Sequence, residues 1–103
     1  MILCEYKESG ICRGTILRFD SAKYPFELNV DFMFCSYPSN DSKCSSMALY
    51  CITGYNAGQL EYIFPEESML DGNPNCISKE WVLNKWTEMV TDCVDINNAE
   101  ILV

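Results

Sequence analysis

The stretch Pro25-Phe26-Glu27-Leu28-Asn29-Val30-Asp31-Phe32-Met33-Phe34-Cys35 decides the fold. Phe26, Leu28, Val30, Phe32 and Phe34 fall on even positions, and Glu27, Asn29 and Asp31 alternate between them. Side chains of a strand point to opposite faces in turn, so this run puts five apolar groups on one face and polar groups on the other. One face is for a core and one for water, which is the pattern of an antiparallel sheet rather than a doubly buried parallel one. Burying the five is worth roughly 1.5–3 kcal/mol each before chain entropy is subtracted. Phe32 and Phe34 are therefore expected in the core. Pro25 suits the first position of the strand, where a missing N–H does least harm.

Working outward, Gly14–Phe19 reads as a neighbouring strand and Ile2–Tyr6 as a further candidate. Tyr37–Ser46 is polar, rich in Ser, Asn and Asp, and reads as a loop. Met47–Thr53 and Gln59–Phe64 read as a hairpin around Gly54-Tyr55-Asn56-Ala57-Gly58, with Pro65 ending it. Glu66–Asn75 carries Gly72 and Pro74 and is expected to be a loop or one short turn. A helix starts at Ser78, which can cap it, with Glu80 in its first turn and Ile77 placed to staple against Val82. Val82, Trp86, Met89 and Val90 keep helical spacing, and the helix should fade near Thr91-Asp92. Trp81 and Trp86 do not share a helix face closely, so one is expected in the core and the other half exposed. Cys93–Ile96 reads as an extended return and Glu100–Val103 as a short last strand. The sum is an α+β fold: an antiparallel sheet of four to six strands, with one main C-terminal helix packed on one face.

The 103 residues are one domain's worth, residues 1–103. Fifteen acids stand against seven bases, a net charge of −8. Residues 61–103 hold nine acids and two bases, so nearly all the excess lies there. Glu61, Glu66, Glu67 and Asp71 fall close together. They form either a solvated face that keeps the protein soluble or a docking face for a basic partner. The sign of the charge argues against direct contact with nucleic acid or an anionic membrane. No apolar run approaches the ~18 residues of a membrane helix. Met1-Ile2-Leu3-Cys4-Glu5 has no basic n-region, so no secretory signal is expected and a cytoplasmic location is.

There is no histidine, which removes the usual His-based triads, zinc sites and general bases. No phosphate-cradling glycine motif occurs. Seven cysteines without a C-x-x-C pair give neither a zinc ribbon nor a thioredoxin-type site, and an odd count argues against a disulfide framework. Cys4, Cys35 and Cys51 lie in apolar runs and are expected as buried thiols, with Cys44 the exposed one. No catalytic residue, cofactor or metal ligand is expected. A carboxylate hydrolase built on Glu66 and Glu67 would need a deep cleft, for which so small a domain has little room.

Four stretches carry a resemblance: Arg13–Asp20, Tyr24–Met33, Thr53–Gly58, and Trp81 with Trp86. Together they resemble small immunity proteins of bacterial polymorphic-toxin and contact-dependent growth-inhibition systems. The resemblance implies an antitoxin that works by binding a cognate toxin domain, and many such toxins are basic nucleases. It assigns no binding residues. The charge pattern offers Glu61, Glu66, Glu67 and Asp71 as the partner-binding set, with Tyr37 and Tyr55 as candidate interface aromatics. The competing expectation is a non-catalytic adaptor or chaperone subunit of a secretion or phage system. The oligomeric state stays open.

Overall fold

A computed structural model describes residues 1–20, 29–38, 44–71, 73–90 and 95–102. Its fold is α+β, with two antiparallel sheets and one main helical segment near the C-terminus. The strands are β1 Gly10–Cys12, β2 Ile16–Asp20, β3 Asn29–Ser36, β4 Cys44–Cys51, β5 Leu60–Pro65, β6 Met69–Leu70, β7 Asn73–Ser78 and β8 Glu100–Leu102. The larger sheet has the order β5-β4-β3-β2-β8 and the smaller β1-β7-β6.

The alternating run of β3 is central to the larger sheet, as its pattern requires. Val30, Phe32 and Phe34 are buried, in register with Phe19, Leu17 and Leu49 of the flanking strands. Phe26 and Leu28 lie outside the described residues. Onto this inner face packs α1, Lys79–Lys85, which continues as a π-helical turn, Trp86–Val90. Trp86 is wholly buried and stacks on Phe19 with centroids 5.3 Å apart. Phe34 and Phe64 stack beside it at 5.3 Å. Trp81 stays half-buried, so the two indoles divide as their spacing implies. The Ser78 hydroxyl caps α1, accepting from the Trp81 N–H at 3.2 Å. Ile77 and Val82, the pair placed to staple the helix start, both lie in the core.

The expected antiparallel sheet is the five-stranded one, and a second, three-stranded sheet of β1, β7 and β6 joins it. Several other expectations are corrected. The Glu66–Asn75 loop contains a 3-10 turn (Glu66–Ser68), β6 and the start of β7. Pro74 and the asparagines hid that strand, which gains its partners from distant β1. Ile2–Tyr6 is not a strand: Leu3–Glu5 is a 3-10 turn, tied to the last strand by an Ile2–Glu100 bridge. Ile96, read as the end of an extended return, opens a 3-10 turn, Ile96–Asn98. The helix end near Thr91-Asp92, and Cys93, fall outside the described residues. Asp31, expected to face water, is only 6% exposed. Its carboxylate accepts two hydrogen bonds from Arg18, 2.8 Å to Nε and 3.0 Å to Nη2. That contact also holds the Arg18 guanidinium protonated beyond its ordinary range, first through the hydrogen bond and then through the charge of Asp31.

The cysteines also depart from expectation. Cys12 and Cys76 face each other across β1 and β7 and form a disulfide, with Cα atoms 4.0 Å apart. Cys4 is exposed rather than buried. Cys51 is buried as expected, and Cys35 is partly buried, which pushes its thiol pKa up. Gly10 leaves room at the start of β1 for the Leu70 side chain of β6. A Cβ there would stand 2.6 Å from Leu70 Cδ2.

The outer face of the larger sheet, opposite α1, is not uniformly polar. Cross-strand register sets Leu102 beside Ile16, Ile16 beside Met33, Met33 beside Tyr50, and Tyr50 beside Leu60. One apolar row thus crosses all five strands. The next row holds Glu100, Arg18 and Asp31.

Candidate partner-binding surface

Three of the four clustered acids sit on short turns, two of them at the junction between the sheets. β5 ends at Pro65, and the 3-10 turn that follows presents Glu66 and Glu67, both exposed. The buried Ser68 hydroxyl fixes this turn by donating to the Pro65 carbonyl at 2.6 Å. Asp71 is exposed on the turn after β6. Glu61 is exposed on β5 itself, at an irregularity where Leu49 faces Tyr62 while Tyr50 faces Leu60. Buried Ser45 steadies a second irregularity of β4. Its hydroxyl lies 2.9 Å from the Phe64 carbonyl and accepts from the Met47 N–H at 3.1 Å.

A groove of about 280 Å³ runs between the Glu66–Ser68 turn and α1. Glu67, Ser78, Glu80, Trp81, Asn84 and Lys85 line it. In its aromatic wall the Trp81 ring stacks on Tyr62 at 6.4 Å and meets Phe64 edge-on at 5.9 Å. Lys85 is drawn toward Glu88, 4.0 Å away. Two carboxylates beside an indole face suit a cationic side chain, through charge and through cation–π attraction.

Of the residues singled out by sequence, only Glu67 lines this groove; Glu61, Glu66 and Asp71 are exposed around it or beyond it. Tyr37 follows β3 and is half-buried, its N–H donating to the Ser46 carbonyl at 2.7 Å. Tyr55 belongs to the 3-10 turn Gly54–Asn56, and its side chain lies outside what is described. Glu80 and Trp81 were missed as site residues. In the sequence Glu80 is only a first-turn acid favourable to the helix dipole, and nothing in the spacing ties it to Glu67. Among the described residues, no group of three or more Cys, Asp or Glu is placed to hold a metal ion. No helix among them is long and apolar enough to cross a membrane.

A family-model match places this α+β chain among the immunity proteins. The particular family is the one described as Immunity protein 45: its model matches residues 3–101, and the chain belongs to it. No curated protein and no solved structure matches the chain.

Proposed function

We propose that this protein neutralises a cationic toxin domain, a nuclease of a contact-dependent or other polymorphic-toxin system, by covering its basic site. It works as one domain and without catalysis. The family match over nearly the whole chain carries the reading. The exposed Glu61, Glu66, Glu67 and Asp71, and the groove carboxylates of Glu67 and Glu80, support the choice of a cationic partner. A nuclease holds phosphate with clustered cations, so an acidic protein can occupy that site as its substrate does. Tyr37 and Tyr55 remain candidates for the same contact.

The test is co-expression with the neighbouring toxin domain, followed by purification and titration. A one-to-one complex whose association slows as salt rises is expected. A toxin that is bound with no salt dependence would remove the cationic partner, and one that is not bound at all would remove the antitoxin role.

Cytoplasmic action carries over from the sequence as part of this proposal, and the Cys12–Cys76 bond weighs against it. Cytosolic thiols are ordinarily kept reduced, whereas such bonds persist in oxidising compartments. Thiol trapping in the producing cell decides. Free Cys12 and Cys76 place the working protein in the cytosol, and an intact bond places it outside.

A further inference from the structure

A solvated sheet face ordinarily alternates polar residues with the core positions. The outer face of the larger sheet departs from this along one row. Its middle row, Leu102, Ile16, Met33, Tyr50 and Leu60, is apolar on every strand. Leu60 is 43% exposed and the other four are partly exposed. With strands about 4.8 Å apart, the row is roughly 19 Å long. The helical segment cannot cover it, because Trp86 packs on Phe19 and Phe32, which point to the opposite face. A contiguous apolar strip with Met and Tyr at its middle has the composition of an interface centre.

We propose that this row is the apolar centre of the toxin contact, with carboxylates at its margins receiving cationic side chains of the toxin. The proposal rests on the antitoxin reading above and deepens it by locating the contact.

Charge and area choose the occupant. Arg18, the cation of the neighbouring row, is held by Asp31 in a two-bond fork and also faces Glu100, so two carboxylates share one cation and the row keeps a net negative charge. At the other end, Glu61 follows Leu60 and is exposed. The strip thus ends in a carboxylate near each edge of the sheet, which favours a cationic partner. A second copy of this chain fits poorly. Each copy carries −8, so two would repel across the contact. The two rows across five strands also present only roughly 300 Å² per side, about 600 Å² for a symmetric pair, below the 1,200–2,000 Å² of a stable specific interface. A toxin larger than the face can add area by reaching round edge strand β5 toward Glu66 and the groove.

The experiment uses a catalytically inactivated cognate toxin domain. The double variant Met33→Asp/Tyr50→Asp should weaken its Kd at least 100-fold, mainly through faster dissociation, while Met33→Leu/Tyr50→Phe stays within threefold. Circular dichroism and Tm establish that each variant is folded. Should the aspartate pair fail to fold, peroxide footprinting of the native protein carries the test. Met33 should be protected in the complex while Met89, 41% exposed on the helical segment, continues to oxidise. A Kd within threefold of the native value, or unprotected Met33, would overturn the placement and leave the antitoxin role standing. Concentration-dependent dimers of the free protein, abolished by the aspartates, would overturn it in favour of self-association. A native protein that binds no toxin would bring down the role itself.

Discussion

Trp86 joins helix to sheet through two aromatic contacts, on Phe19 and on Phe32, and it does so with its indole N–H unpaired among the described residues. Its area stabilises the core while its one polar atom is buried without a partner. The two substitutions that shorten it should therefore differ sharply. Trp86→Ala removes all the packing and should cost about 3–5 kcal/mol. Trp86→Phe keeps most of the ring and deletes the orphan donor, and should cost less than half as much. Urea unfolding of both variants measures this, and equal losses would show that the N–H is satisfied in solution. At the same scale, Asp31 illustrates where strand periodicity misleads. Alternation correctly sent it to the face opposite Phe32, but that face was assumed to be wet. Only the neighbouring strand, which brings Arg18 alongside, shows that the carboxylate is paired and shielded.

Among the elements, those legible in the sequence are the ones whose signals are local. The alternation up to Phe34, the glycines flanking the β4–β5 turn, and the Ser78 cap each act within a few residues, and their elements formed, although β4 starts at Cys44, inside the stretch read as a loop, and residues 25–28 of the expected β3 lie outside those described. Strand β7 has no such signal. Its Asn-Pro-Asn start reads as a turn, and its pairing comes from β1, whose Cys12 is 64 residues from Cys76. The same distance hid the disulfide, since a count of seven cannot say which two thiols meet. Closing so long a loop restricts the unfolded chain strongly. Converting both cysteines to serine should lower stability by about 4 kcal/mol in the chain-entropy model. Reducing agent should destabilise the native protein by a similar amount while leaving the double variant unchanged, as thermal melts with and without dithiothreitol will report.

For the whole molecule, net charge was readable at once, but its distribution over the surface was not. Four acids adjacent in sequence are split between an irregular strand and two turns, and Glu80 joins Glu67 only because α1 folds back beside β5. Reversing Glu61, Glu66, Glu67 and Asp71 together to lysine should slow association with a cationic toxin by tenfold or more and flatten its dependence on salt. Stopped-flow rates across a salt series provide the check, and a rate within twofold of the native one would move the attraction elsewhere. The apolar row escaped the sequence for a related reason. Each strand contributes one unremarkable residue to it, and only their register makes a surface.

The disulfide is lopsided, with Cys12 at the surface and Cys76 only 1% exposed. A small thiol arriving from solvent meets the Cys12 sulfur first. Attack there would expel Cys76 as a thiolate into apolar surroundings that penalise the charge. Cleavage should then wait for β1 to lift from β7, so its rate should level off as reductant is added instead of rising in proportion. The bond would act as a timer, set by how often the small sheet opens, for how long the protein keeps its shape after entering a reducing environment.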